Sequence, residues 1–268
     1  MNNRLLLRRM QATPPVLSPF SDASSIFCLE DIGLGIQNVV NGFNASTSQN
    51  FNQNEITDGT LATFGGLGDV QASTVYNQIN GNSDYSIITG FDPINIYKNG
   101  SLILQNGNPT IENLFNSGYD INNQLSFSNS SEKTLVMIFK TNQVSTNQRL
   151  FYWGVSGSSR VTCRHNGTNY DMVMNGFANS FTVSEANDYV LMWFDDINGN
   201  VTVEMNGVSK ANNNLGGQNV TTEASLLSRD NASEPFEGNV QFFGIWNKNK
   251  RAEKQEIYNE LNTIYNVF

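Results

Sequence analysis

The sequence is poor in the residue types that most often build metal and catalytic centres. It has one histidine, His165, and two cysteines, Cys28 and Cys163, which are far apart and form no zinc-binding spacing. A single histidine and the lack of a Gly-x-Ser-x-Gly motif give no support for a Ser-His-Asp hydrolase. The two cysteines leave a disulfide open, but a chain of 268 residues does not need one. We expect two free, buried thiols.

Charge is also scarce, because only 15% of the residues are charged and the net charge is −9. This acidic balance argues against nucleic-acid binding by the domain as a whole, which needs a positive face. No apolar run reaches the length of a membrane span, and the three leucines near the start are too few for a signal-peptide core. We therefore expect neither a membrane span nor a secretion signal.

Asparagine replaces much of the missing charge, so the surface is expected to be polar through amides and hydroxyls. Asparagine tolerates the left-handed backbone of turns, and amides also match the hydroxyl groups of neutral sugars. Compositional drift in an AT-rich genome explains the same bias equally well. The composition alone therefore does not select a ligand.

Residues 1–27 are predicted to form an extended arm outside the domain. The start of the chain is basic, and prolines follow it, which fix φ and remove backbone donors. Such a segment packs on another surface rather than folding alone. The residues that mark the arm are Arg4, Arg8, Arg9, Pro14 and Pro15.

Strand patterns dominate the rest of the chain. Two alternating runs meet at Asn99-Gly100, a strong hairpin signal. The apolar run Leu135–Phe139 predicts a central strand covered on both faces. "YVLMWFDDINGNVTVEMNG" predicts a hairpin with one buried and one solvent-facing side. The fold class is therefore all-β, a β-sandwich formed by residues 28–268.

A short amphipathic helix is predicted to close the chain. Apolar residues recur at helical spacing in the last twelve positions, which places them on one face. They are Ile257, Leu261, Ile264 and Phe268.

The order of segments in the C-terminal half resembles the concanavalin A-like jelly rolls of the laminin-G type. In that family a strand bearing tryptophan, a tight turn and a strand ending in Asn-Gly precede a strand introduced by Phe-x-Gly. The matching positions here are Trp193, Asn206, Gly207, Phe236 and Gly238. The resemblance covers roughly residues 56–268 and implies a jelly roll.

An earlier segment, "TVYNQINGN", is similar to the arabinofuranosidase B-like branch of that family, which includes proteins of marine bacteria and their phages. Val75 stands where the branch usually has tryptophan, and Asn77 where it has aspartate. Without that carboxylate, a structural turn in which Tyr76 and Gln78 tie neighbouring strands is favoured over a working site.

Two acidic residues facing each other are the minimum for glycoside hydrolysis. The strand pattern Glu-x-Asp-x-x-Glu of laminarinase-type jelly rolls is absent, and Glu204 is the only acid in the middle of a clear strand. It is predicted to face solvent without an acidic partner. We therefore expect that the protein is not an enzyme.

Calcium is the one cofactor that the sequence leaves open. The turn "DDINGN" offers oxygen ligands from Asp195, Asp196 and Asn198. The turn lacks the length and the distal glutamate of an EF-hand loop, and a plain hairpin explains the same residues without a metal.

We predict a structural protein of a bacteriophage virion, associated with capsid, spike or tail. Its arm would thread into other virion proteins, the jelly roll would face outward, and the protein would form homo-oligomers. Binding of a host surface glycan is an added hypothesis, although core packing is favoured for each of the aromatic candidates. These are Tyr152, Trp153, Tyr170 and Trp246. The alternative function is a bacterial cell-surface carbohydrate-binding or glycoside-hydrolase-like domain.

Overall fold

The structure of the chain is a computed structural model. The chain is mostly β-structure, as the strand patterns predict, with three short α-helices and one 3-10 helix (Arg251–Glu253) among the described residues. The structure describes residues 18–35, 37–79, 84–87, 94–113, 118–120, 132–142, 147–155, 159–166, 169–174, 177–181, 190–214, 224–228 and 234–267.

The strands and helices are numbered in chain order. The first half contains β1 (Ser25–Cys28), β2 (Asn38–Phe43), β3 (Ser48–Asn52), α1 (Gln53–Thr57), α2 (Thr60–Gly65), β4 (Val70–Val75), β5 (Tyr85–Ile87), β6 (Ile94–Lys98), β7 (Ser101–Leu102), β8 (Leu104–Gln105), β9 (Asn108–Pro109), β10 (Ile111–Asn113) and β11 (Tyr119–Asp120). The second half contains β12 (Lys133–Thr141), β13 (Asn147–Val155), β14 (Ser159–Asn166), β15 (Asn169–Met174), β16 (Phe177–Phe181), β17 (Val190–Ile197), β18 (Asn200–Met205), β19 (Val208–Asn214), β20 (Ala224–Leu226), β21 (Gly238–Trp246) and α3 (Lys254–Tyr265).

The strands form two antiparallel layers joined at one corner. The front sheet has the order β19-β18-β17-β12-β21, with β1 and β10 both pairing along the far side of β21. The back sheet has the order β3-β2-β4-β5-β11-β20-β13-β14-β15-β16. Strand β6 pairs with both β4 and β10 and so links the layers. This is the predicted β-sandwich of the concanavalin A-like jelly-roll type.

The main core lies between the two sheets. Alternate side chains of a strand point to opposite faces, so Leu135 and Phe139 of β12 enter this core. Val136 and Ile138 of the same strand belong to a second apolar cluster on the outer side of the front sheet. The prediction of a central strand covered on both faces is confirmed.

Helix α3 covers that outer side. Ile257 and Leu261 are buried against the front sheet, which confirms the predicted amphipathic helix, while Phe268 lies outside the described residues. Glu204 was expected to face solvent, but Lys254 of the helix donates to it at 2.7 and 2.9 Å. That expectation is wrong because the helix returns over the hairpin. None of the helices described is long and apolar enough to span a bilayer.

Residues 18–24, which precede β1, belong to the domain. Phe20 is fully buried, with its ring centroid 5.5 Å from that of Phe242. Ser25–Cys28 pairs with β21 as part of the front sheet. The boundary predicted at residue 27 is therefore corrected, since residues 18–27 pack into the sandwich. The five residues that marked the predicted arm lie outside the described residues, and the arm stays a prediction there.

The predicted Asn-Gly turns at two hairpins, Asn99-Gly100 and Asn198-Gly199, are confirmed, and a third turn of this kind lies at Asn206-Gly207. Asn99, Asn198 and Asn206 each have φ between 50° and 53°, and the glycine after each has φ between 74° and 83°. This left-handed backbone is the one that two-residue hairpins require. The sequence has two more Asn-Gly pairs, at 166–167 and 175–176, which typically form turns, and both extend outside the described residues.

Candidate functional site

Three of the four predicted sugar-binding aromatics have side chains that the structure describes, and all three are buried. Trp246 lies in the cluster under α3, and its Nε1 donates to Asp22 at 3.1 Å. Tyr170 packs in the main core, 5.9 Å from Phe139 between ring centroids. Core packing, the favoured alternative, therefore accounts for Trp246, which helix α3 covers, and for Tyr170, which faces the front sheet across the main core. The side chain of Trp153 lies outside the described residues.

The three predicted calcium ligands do not converge. Asp195 points toward α3, where it accepts from Trp193 Nε1 at 2.8 Å and from Arg251. Asp196 points to the opposite face, accepts from the backbone N–H of Gly199 at 2.9 Å, and has its pKa raised by burial. Consecutive strand residues necessarily point apart. The hairpin-turn alternative accounts for these residues, and the metal-site prediction is corrected.

The segment around Asn77 is structural, as interpreted from the sequence. Asn77 Oδ1 accepts from the backbone N–H groups of Ile26 and Ile79 at 3.0 and 3.1 Å. Gln78 Nε2 donates to the Asn38 carbonyl at 3.3 Å, and the Tyr76 hydroxyl donates to Asn50 Oδ1 at 2.8 Å. These contacts tie β1, β2 and β3 together, which confirms the interpretation. Cys28 and Cys163 are buried and form no disulfide, also as expected.

A set of polar side chains lies on the outer side of the back sheet. Phe151 and Cys163 face the core, so their strand neighbours Tyr152 and Thr162 face outward, paired in register. Ser225 of β20 pairs with Tyr152 from the other side. We call the polar face the set Arg149, Tyr152, Thr162, Arg164, Asp171, Ser225 and Glu234. Tyr152 is thus the one predicted sugar-binding residue that lies among these polar side chains, although its own side chain is buried.

Two ion pairs organise the polar face. Arg149, Arg164 and Asp171 are consecutive in register across β13, β14 and β15. Arg164 Nε donates to Asp171 at 2.6 Å, while Arg149 Nε donates to the carboxylate of Glu234. Arg149 also donates to the Thr162 hydroxyl at 3.3 Å. The two ion pairs therefore lie side by side on neighbouring strands, and the Arg149 pair includes the Thr162 hydroxyl.

The backbone is irregular where Arg149 lies. A β-bulge interrupts β13 between Arg149 and Phe151. Leu227 and Glu234 have φ of 64° and 58°, in the left-handed region of backbone conformation that residues other than glycine rarely adopt. Their backbones meet this bulge: the N–H of Arg149 donates to Glu234 and that of Leu227 to Leu150, each at 2.9 Å. Bulges and strained residues concentrate at functional sites, where they aim side chains.

Sequence analysis missed this face. The signal available was local: Arg149, Arg164 and Asp171 are charged residues inside otherwise apolar β-rich runs. Their meeting depends on the register of three strands and on Glu234, 85 positions away from Arg149. In the part of the chain that the structure describes, no three His, Cys, Asp or Glu residues are grouped to hold a metal.

Comparison with known proteins finds the fold but no close relative. No protein-family model and no curated protein matches the sequence. A mutant of a GH54 α-L-arabinofuranosidase soaked with 4-nitrophenyl α-L-arabinofuranoside matches 91% of this chain, with a TM-score of 0.68 and 9% identity. An arabinofuranosidase complexed with arabinofuranosyl-α-1,2-xylobiose matches 91%, with a TM-score of 0.70 and 8% identity. A Trypanosoma rangeli sialidase mutant that displays trans-sialidase activity matches 73%, with a TM-score of 0.54 and 8% identity.

The matched proteins are longer than this chain, which spans 63% of the arabinofuranosidases and 32% of the sialidase. They are carbohydrate-active β-sandwich proteins, and at this identity the likeness establishes the fold. The prediction that the protein is not an enzyme is contradicted, because the fold shared over 91% of the chain is that of glycoside hydrolases. These structures give no support to the predicted virion role.

Proposed function

We propose that this chain is a carbohydrate-active domain that binds a saccharide against the polar face of its back sheet. The polar face itself carries the proposal, because ion pairs and hydroxyl groups occupy strand positions directly behind the apolar core. Buried ion pairs stabilise a fold no better than apolar packing does. Their presence therefore favours a role in recognition, and the fold shared with arabinofuranosidases supports a sugar as the ligand.

Each ion pair has a buried member and a partly exposed member. Arg149 and Asp171 have side chains 2% exposed, whereas those of Glu234 and Arg164 are 25% exposed. The buried members hold the geometry, and the exposed members are accessible to a ligand. A carboxylate accepts hydrogen bonds and a guanidinium donates them, so Glu234 and Arg164 together suit the hydroxyl groups of a sugar.

Hydrolysis of a glycoside is the second candidate function. It is favoured by two carboxylates, Asp171 and Glu234, which pair with arginines on adjacent strands of a fold shared with glycosidases. Glycosidases use two carboxyl groups that flank the bond to be broken.

Binding is tested by calorimetric titration of the purified chain with arabinofuranosyl-α-1,2-xylobiose and by a glycan array. Glu234→Gln should weaken binding at least tenfold, because it removes the accessible carboxylate charge while keeping the side-chain size. Glu204→Gln is the matched control, since it removes a comparable ion pair with Lys254 under helix α3. Absence of saccharide binding by the folded wild type, or equal affinities of the two variants, would overturn the proposal.

Hydrolysis is tested with 4-nitrophenyl α-L-arabinofuranoside. Release of nitrophenol by the wild type and Glu204→Gln, with loss of release in Asp171→Asn and Glu234→Gln, is the expected pattern. If the chain binds a saccharide but releases no nitrophenol, it is a binding domain and does not hydrolyse this substrate.

The predicted location in a virion and the predicted homo-oligomer stay predictions, as does host glycan as the source of the sugar. Neither the described fold nor the matched structures bear on where the protein is found. Mass spectrometry of purified particles tests the location directly.

A further inference from the structure

A second concave surface is formed by a part of the chain that precedes the residues of the polar face, and the two share no residue. It is formed where the turn after β2, the loop between α2 and β4, and the turn between β6 and β7 meet. Its volume is about 470 Å³, within the range of small-molecule sites. We call it the turn cleft, and its side chains that matter here are Phe43, Leu67, Asp69, Gln71 and Asn99.

Hydrogen bonds between the three segments hold the walls of the turn cleft. Asp69 Oδ1 accepts from the backbone N–H of Asn99 at 2.8 Å, which joins two of the walls. Asn44 Nδ2 donates to the carbonyl of Phe64 at 2.9 Å, and the Tyr97 hydroxyl donates to that of Gly66 at 3.1 Å. A cleft whose walls are fixed in advance loses less conformational entropy when a ligand binds.

The turn cleft also concentrates exposed apolar surface. Of the four large hydrophobic side chains exposed in the described part of the chain, two line it: Phe43, 37% exposed, and Leu67, 94% exposed. Exposed apolar side chains grouped beside polar ones are typical of binding sites. An aromatic ring and an aliphatic side chain offer the apolar contacts that the C–H face of a sugar ring makes.

The polar lining is acidic and amide-rich. Gln71 and Asn99 contribute amides, Asp69 contributes a carboxylate, and no lysine or arginine is among the residues that line the cleft. A negatively charged ligand would meet a carboxylate without a counter-charge, so a neutral one is favoured. Amides donate to and accept from hydroxyl groups, and the carboxylate accepts from them.

We infer that the turn cleft binds a neutral saccharide, as a site separate from the polar face. The choice of a sugar rests on the proposed function, whereas neutrality follows from the cleft's own residues. A protein with both sites holds a glycan chain at two points, or two chains at once.

The test measures saccharide binding by calorimetry, with arabinofuranosyl-α-1,2-xylobiose as the neutral probe and α2,3-sialyllactose as the anionic one. Phe43→Ser and Gln71→Ala should each weaken binding of the neutral probe at the second site at least fivefold. Leu67→Ser adds a variant at a fully accessible position, in case Phe43→Ser disturbs folding. Val208→Ser is the control, because Val208 is 57% exposed and does not line the cleft. The sialylated probe should bind at least tenfold more weakly.

The outcomes separate the two proposals. Loss of binding in Glu234→Gln with no change in the cleft variants overturns the cleft and leaves the polar face. Loss in the cleft variants with no change in Glu234→Gln supports the cleft and overturns the polar face. Sedimentation that shows self-association lost in Leu67→Ser, without an effect on sugar binding, would mean that a second copy of the chain occupies the cleft.

Discussion

Phe236 lies against Gly238 so closely that a Cβ atom at Gly238 would approach the Phe236 ring to 2.6 Å. The same atom would come 2.1 Å from the carbonyl oxygen of Lys140 in the neighbouring strand. Phe236 is fully buried in the main core, where its ring centroid is 6.0 Å from that of Phe139. The Phe-x-Gly pattern seen in the sequence thus has a packing reason. Only a residue without a side chain fits beneath the Phe236 ring at the start of β21.

Gly238→Ala should therefore lower the free energy of unfolding by about 3 kcal/mol, near the upper end of overpacking effects. Urea denaturation followed by tryptophan fluorescence measures the change. The control is Gly68→Ala, whose Cβ would meet only the Gly65 carbonyl oxygen, at 3.5 Å. It should change stability by less than about 1 kcal/mol. Equal effects of the two substitutions would refute the packing explanation.

Asn77→Ala should destabilise the protein by about 2–4 kcal/mol, because it leaves the N–H groups of Ile26 and Ile79 without their acceptor. Asn50→Ala is the matched control, since Asn50 is exposed and also accepts a side-chain hydrogen bond, from Tyr76. Its effect should stay near or below about 0.5 kcal/mol. Thermal unfolding of the two variants measures the difference, and a control as damaging as Asn77→Ala would contradict a structural role specific to Asn77.

Deletion of residues 1–27 should prevent stable folding, because it removes buried Phe20 and Ile26 together with most of strand β1. Deletion of residues 1–17 is the control, since it retains every contact described here. Circular dichroism and the yield of soluble protein report the outcome. A folded, cooperative protein lacking residues 1–27 would restore the predicted arm boundary and refute the packing of residues 18–27.

The free energy of unfolding should fall on acidification, because His165 has a lower pKa in the folded protein than in the unfolded chain. Burial lowers the pKa of His165 below its ordinary value of 6.5, while the nearby charge of Asp171 opposes the shift. The unfolded chain then binds the proton more readily than the folded one, so this contribution is complete above about pH 6.5 and is lost as the pH falls through the folded-state pKa. Melting temperatures of wild type and His165→Gln between pH 7.5 and 5 measure it. A variant whose melting temperature falls as steeply as that of the wild type would exclude His165 as the cause.

Much of the fold was predictable because its signals are local. The left-handed turns at Asn99 and Asn198 need only the two residues that form them, and the buried strand around Val136 shows in its own apolar run. The helix containing Leu261 shows in its periodicity. Burial was harder to predict, because the sequence around Trp246 allows a surface aromatic beside the favoured core position until the covering helix is known.

The candidate site was not predictable for the same reason. Arg149 and Glu234 are distant in sequence, and only the pairing of β13 with β14 and β20 brings their surroundings together. The turn cleft likewise joins Phe43, Leu67 and Asn99 from three segments. Neither arrangement leaves a short pattern in the chain.

The sequence by itself determined the all-β class, the hairpin turns, the central strand and the closing helix, because strand alternation, Asn-Gly turns and helical periodicity act over a few residues. The tertiary structure alone decided which outer faces are covered, where residues 18–27 belong, and which charged groups meet on the back sheet. Those outcomes depend on strand register and on contacts between residues far apart in the chain, and no local pattern encodes them.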